Sequence, residues 1–185
     1  MIRQVIRAAA LVAASAWTAA ATAAGPVSVG VSVGEADAED FCRGTAAAGI
    51  SCDDTDTGLR VFLGTDINPN FRIEGFWVDF GEVKASDSSG NSVTIESDGI
   101  GIAALGVLTA SERFDVFGKL GLLAWDADLE TNFGFSDSDD GTDPFFGAGA
   151  RYWISDAFAL RGEGEEFELD DADVSLLSIS GELRF

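Results

Sequence analysis

Phe71, Phe114 and Phe158 stand 43 and 44 residues apart, and each closes a polar turn cluster, in DINPNF, TASERF and WISDAF. Behind each phenylalanine a new alternating run begins. A return of turn, aromatic and alternating run at this period describes a repeated unit of two strands joined by tight turns at one end. At the other end the connections are longer and acidic, at about 37–56, 87–92, 134–143 and 170–173. Between them the pattern predicts eight strands, at about 26–36, 57–67, 71–86, 93–109, 114–133, 144–155, 158–169 and 174–185. The chain closes on SLLSISGELRF, where Leu177, Ile179, Leu183 and Phe185 share one parity and Ser178, Ser180, Glu182 and Arg184 the other. That is a strand with one apolar and one polar face. Its last residue is an apolar anchor, although chain ends ordinarily fray.

An even number of alternating strands, short turns on one rim and long polar loops on the other predict an all-β fold, an eight-stranded antiparallel up-and-down transmembrane barrel. Such a barrel pairs its last strand with its first, which puts Phe185 in a seam at the hydrocarbon boundary. Phe71, Phe114, Tyr152, Trp153 and Phe158 are expected to form the aromatic girdle beside the short turns. The first strand sets Val27, Val29, Val31 and Val33 against Ser28, Gly30, Ser32 and Gly34; the second sets Leu59, Val61 and Leu63 against Arg60, Phe62 and Gly64. The fourth is less regular, because Glu96 and Asp98 share a parity with Ile100 and Ile102. Either a bulge near Gly99 or emergence of the strand from the bilayer accounts for this. The 22 glycines, many in mid-strand, suit a small, tightly curved barrel.

The first 23 residues read as a secretory signal peptide: two arginines and no acid, then AAALVAASAWTAA, too short to span a bilayer, then the small-x-small triplet Ala21-Thr22-Ala23. Residues 24–185 are then the barrel domain. Removing Arg3 and Arg7 leaves 9 basic residues against 32 acidic ones. A surface with that balance does not bind nucleic acid. Export also sets the redox compartment, so Cys42 and Cys52, the only two cysteines, are expected to form a loop disulfide. Two thiols without any histidine fall short of a zinc site. No cofactor is expected.

Several segments resemble, in order, the eight-stranded transmembrane domain of OmpA and related small outer-membrane proteins, over about residues 57–185. DTGLRVFLGTDINPNFRIEGFWVDFG is similar to that family's second and third strands, FDVFGKLGLLAWDADL to its fifth, PFFGAGARYWISDAFALRGEGEEF to its sixth and seventh, and LSISGELRF to its last. The resemblance implies a bacterial outer-membrane location, both termini periplasmic, lipid and lipopolysaccharide as surroundings, and a monomer. It also implies that the terminal pair Leu183 and Phe185 is read by the barrel-assembly machinery. Two departures stand out. The chain ends at Phe185, where larger members continue into a peptidoglycan-binding domain, so wall tethering is not implied. Ala104 stands where the family's fourth strand carries an interior lysine on which a gate would turn.

The polar parity of the strands collects Arg60, Arg72, Glu74, Lys119, Arg151, Arg161, Glu163, Glu165, Glu182 and Arg184. Of these, Glu74, Lys119, Arg161 and Glu163 match interior positions of the resembled family. An eight-stranded barrel has room inside only for side chains, so these charges must pair there. The set is either a plug that rearranges into a narrow, intermittent ion path or a static salt-bridged core.

Catalysis has little to work with. No histidine can serve as general base, the cysteines are expected to be oxidised, and Glu165 and Glu166, being adjacent on a strand, face opposite ways. The loop run DSDDGTD offers Asp137, Asp139, Asp140 and Asp143 as weak, collective divalent-cation ligands, without the spacing of a calcium loop. Three functions remain open: a structural outer-membrane protein with or without low ion conductance, a surface-binding module working through acidic loops, and a soluble barrel carrying a lipophilic ligand.

Overall fold

The computed structural model describes residues 25–39, 41–43, 45, 49–169 and 172–185. The expected signal peptide lies outside the described residues. Among the described residues the secondary structure is entirely β. Its elements are β1 (Val27–Glu39), β2 (Ser51–Asp53), β3 (Thr55–Asn68), β4 (Phe71–Ser86), β5 (Ser92–Ser111), β6 (Phe114–Thr131), β7 (Ser136–Trp153), β8 (Phe158–Leu169) and β9 (Ala172–Arg184).

Eight of these strands close a barrel in the order β4-β3-β1-β9-β8-β7-β6-β5, with β5 returning to β4, and every neighbouring pair is antiparallel. Closure runs through β1 and β9, where Val29 faces Leu183 and Phe185 donates its N–H to the Val27 carbonyl at 2.8 Å. No edge is left unpaired along the seam, which is what a strand wall in hydrocarbon requires. The extra strand, β2, adds to the far end of β4 and is tied back by the Cys42–Cys52 disulfide. The tie constrains one connection and no wall strand. Replacing both cysteines with serine is therefore expected to leave the barrel's unfolding midpoint unchanged and to accelerate proteolytic cleavage between residues 39 and 51.

One correction concerns strand extent. The run 137–143 is not a loop: it is the first half of β7, paired residue for residue with β6 from Asp137↔Leu129 to Asp143↔Leu123. Asp, Ser and Gly have poor strand propensity, but a partner ladder supplies the backbone bonds regardless. The actual turn is 132–135, around Gly134 at φ 89°. β4 and β5, by contrast, meet where the pattern places their connection, at the turn 87–91, where Asp87 accepts the Asn91 side-chain amide at 2.7 Å and the Ser89 N–H at 2.8 Å. Those bonds, led by the one from the Asn91 side chain, lower the Asp87 pKa. The long loops are thus mostly paired hairpins that continue the wall.

The irregularity expected at Gly99 lies across the ladder from it. Asp79 faces Asp98 and Glu82 faces Glu96, so the extra residue is on β4, where Gly81 takes φ 79° and Asp56 accepts the Glu82 N–H at 2.9 Å. β5 keeps one parity throughout, with Ala103, Leu105 and Val107 buried inside and Ile100 and Ile102 exposed outside. Glu96 and Asp98 are therefore outward residues beyond the apolar zone, the second of the two explanations. Ala104 shares their parity and faces outward too, so the inward neighbours are Ala103 and Leu105.

The partition is inverted relative to a water-soluble domain. Val31, Leu120, Leu122, Leu177 and Ile179 are all more than half exposed, whereas arginines and glutamates are buried. On β6 the outward positions from Phe114 to Ala124 carry no charge until Asp126, about the 9–11 residues with which a tilted strand crosses a bilayer. Phe71, Phe114 and Tyr152 remain exposed beside the short turns, as a girdle requires, and Phe158 is half-buried there. Trp153 departs from this expectation: it points inward and is buried.

Candidate functional site

The inward face of β3, β4, β6, β7, β8 and β9 brings the expected charges together. Glu74 is the hub: its Oε1 accepts from Arg161 Nη1 at 2.5 Å and Arg72 Nε at 2.9 Å, and its Oε2 from Arg161 Nη2 at 3.0 Å. Glu163 Oε2 accepts from Lys119 at 2.5 Å and Arg161 Nη2 at 2.7 Å. Glu165 sits between Lys119 at 2.9 Å and Arg60 at 2.6 Å. Glu182 joins Arg72 at 3.0 Å to Arg151 at 3.2 Å. Arg72 also donates to the Ser28 hydroxyl, which ties the network to β1. Arg184 stands apart at the short-turn rim, partly exposed, 3.4 Å from Asp66 and stacked 3.8 Å over the Trp153 ring.

One member was not among the expected residues. Asp115 accepts from Arg151 at 2.8 Å and from the Trp153 indole at 3.0 Å. Its signal was available, because it shares the inward parity of Lys119 on β6. With it the buried set balances: Arg60, Arg72, Lys119, Arg151 and Arg161 against Glu74, Asp115, Glu163, Glu165 and Glu182. Neutrality of this kind is the condition for keeping charge in a confined interior, since an unmatched ion there costs several kcal/mol, of order 3–5.

Above the charges lies an aromatic layer. Arg60 rests 4.0 Å from the Phe76 ring centre and Arg161 4.4 Å from that of Phe117, contacts in which the ring face receives the cation. Phe76 meets Phe145 edge-on at 5.2 Å; Phe145 stacks on Phe167 at 4.9 Å, and Phe167 meets Phe80 edge-on at 4.9 Å. Glycines make room for these rings. A Cβ at Gly30 would stand 2.2 Å from Phe62, one at Gly101 2.3 Å from Phe76, and one at Gly121 2.3 Å from Phe145. The lumen is thus filled across its section, first by ion pairs and then by rings.

The excess negative charge lies elsewhere. Of the 32 acids, 24 fall in the sequence segments 35–56, 79–98, 126–143 and 166–173, against two basic residues, Arg43 and Lys84, and 21 of those acids are among the described residues, which build the long-hairpin end. They do not gather into a metal site: among the described residues no three potential ligands converge. Asp137, Asp139, Asp140 and Asp143 are spread along a strand, and Asp143 accepts the Trp125 indole N–H at 2.7 Å. Leu183 and Phe185 both face outward at the short-turn rim, Phe185 79% exposed, so the terminal pair is presented on the wall's outer surface.

A closed strand wall with apolar side chains outside and neutralised charge within is the signature of a membrane-spanning barrel. Residues 6–185 match the family described as outer membrane protein beta-barrel domain, and the chain belongs to that family. This makes it an OmpA-like protein of the bacterial outer membrane. Outer membrane protein A of Citrobacter freundii is 34% identical over 83 residues, covering 40% of this chain and 35% of that protein. The chain therefore spans about a third of the curated relative it matches. Among solved structures, Neisserial surface protein A is similar with a TM-score of 0.62 at 13% identity, over 86% of this chain and 97% of that one. Ail, the attachment invasion locus protein of Yersinia pestis, gives 0.58 at 18% identity, over 88% and 99%. The N-terminal barrel domain of Pseudomonas aeruginosa OprF gives 0.57 at 12% identity, over 88% and 99%. At such identities the likeness is one of fold.

Proposed function

We propose that this protein is a non-enzymatic structural element of the outer membrane, a monomer whose lumen is a static ion-paired plug rather than an ion path. The observation that carries the reading is the balanced set of ten buried charges, five of each sign, capped by the Phe76–Phe145–Phe167–Phe80 layer. An ion crossing this section must displace bonded arginines and carboxylates together and then part a packed ring layer. Both termini face the periplasm and the acidic hairpins face outward, where divalent ions bridge them to lipopolysaccharide phosphates. Leu183 and Phe185, presented on the outer surface of the closing strand, serve as the signal for assembly into the membrane. Planar-bilayer recording of the purified barrel tests the plug: the expected trace shows no discrete steps, and reproducible unit steps that vanish on Glu163→Ala would overturn it.

A second reading rests on the hairpin between β6 and β7, whose tip leaves Phe133 and Phe135 more than half exposed among acids. This is a surface for contact with an apolar or cationic partner. Ail was solved with the heparin analogue sucrose octasulfate. A polysulfated ligand does not suit the present chain, whose hairpin end carries 21 acids against two bases among the described residues.

A further inference from the structure

Above the aromatic layer the hairpins enclose a cavity of about 670 Å³ that the charge network does not use. Its floor is Phe80 and Trp125, both buried. The Trp125 N–H is already taken by Asp143, so the indole presents only its apolar ring surface to the space. The walls are apolar, including Val83, Ile95, Leu129 and Val174. Polar groups appear at the mouth, where half-buried Asp54 and exposed Asp137 and Asp139 line the opening. None of the described residues lining the cavity is basic.

These features have separate causes. Inward parity continues up each hairpin beyond the bilayer, and there the sequence keeps placing apolar residues, yet the β7–β8 ladder stops at Phe145↔Phe167, while β5–β6 and β1–β9 stay paired to Val93↔Thr131 and Glu39↔Asp173, so the wall opens above the ring layer and a space remains between the apolar faces. Apolar surface left facing water in a concavity of this size is what small-molecule sites are made of, usually at about 300–1,000 Å³ with a few polar groups setting orientation. The charged groups here are all carboxylates, and they belong to the end of the molecule where the described residues hold 21 acids against two bases. That field concentrates cations and repels anions.

We infer that the hairpin mouth binds a compact cationic amphiphile, its apolar body seated on Phe80 and Trp125 and its ammonium group at Asp54, Asp137 and Asp139. The cup is a terminus and not an entrance to a channel, because Phe80 is also the top of the ring stack that seals the lumen.

The test uses the full barrel in phosphatidylcholine nanodiscs, with empty nanodiscs subtracted, and three probes of matched shape: 4-phenylbutyltrimethylammonium, 4-phenylbutan-1-ol and 5-phenylpentanoate. Titration calorimetry and tryptophan emission report binding. The ammonium probe is expected to bind saturably, at least tenfold more tightly than the carboxylate, with the alcohol between them. Asp137→Asn/Asp139→Asn should bring the ammonium within about threefold of the alcohol without changing the alcohol. Ala127→Trp, which fills the cup from β6, should weaken all three at least tenfold. No saturable binding of any probe, equal affinity for the ammonium and the carboxylate, or binding undiminished by Ala127→Trp in protein that retains heat-modifiable migration would each overturn the inference.

Discussion

Glu74→Ala is expected to lower the barrel's unfolding free energy by about 3–5 kcal/mol, the range found when one partner of a buried ion pair is removed. Glu74 is fully buried and bonds to Arg161 and Arg72, with Arg60 at 3.8 Å, so its loss removes the carboxylate these three guanidinium groups share and leaves five buried cations against four anions. The neighbouring carboxylates cannot move in to compensate. Glu163 and Glu165 are held by Lys119, and Glu182 by Arg72 and Arg151. Urea unfolding in detergent micelles, followed by the band shift between folded and heated forms, measures the change. With a slope of about 2 kcal/mol per M, the midpoint should fall by roughly 2 M. Glu82→Ala provides the contrast. Its partner is Lys84, both side chains are more than a third exposed, and solvent screening leaves such a surface pair contributing little. Equal midpoints for the two variants would show that the lumen charges are solvated rather than paired.

Leu120→Arg tests the outer surface with an effect of similar size. Leu120 is 69% exposed near the middle of the uncharged outward run of β6, between Phe114 and Ala124. A guanidinium at the bilayer midplane destabilises a strand wall by about 2–4 kcal/mol, an effect that fades to about 0–1 kcal/mol near the interfaces. The same arginine at Asp126, beyond the apolar run, should therefore leave stability in liposomes almost unchanged. Were the exterior facing water, Leu120→Arg would be neutral, as surface substitutions usually are, within about 0.5 kcal/mol.

The wall was legible because a period of two survives in nearly every strand. Arg60 against Val61, or Ser32 against Val33, declares a face without help from any partner. The Phe71, Phe114 and Phe158 spacing then settled which ends of the strands carry the short turns. Strand length was harder to read, since Asp137 to Asp143 lack both alternation and strand propensity, and only the β6 ladder opposite makes them extended. The interior place that the resemblance implies for residue 104 fails for a related reason. Small residues on both parities around Ala103 and Ala104 leave the pattern silent, and the register against Ile73 and Glu74 decides it. Among the site residues, parity alone collects nine of the ten buried charges, together with Arg184 at the rim. It does not give which carboxylate meets which base, because Arg161 reaches Glu74 across 87 positions of sequence. The Trp153 position illustrates the same limit: an aromatic at a strand end suits a girdle, and only the inward Asp115 and Arg151 draw it inside. The unfilled cup had no sequence signal at all, being a product of where the β7–β8 ladder stops.

The claim on which all of this depends is the inversion of inside and outside, and magnetisation transfer from lipid acyl chains to protein methyl groups in nanodiscs measures it directly. The account predicts strong transfer to Val31, Ile100, Leu120, Leu177 and Ile179, and none to Val78, Leu105 or Leu176, which are buried in the barrel. Acyl-chain contact at the second set, or its absence at the first in folded protein, would contradict it.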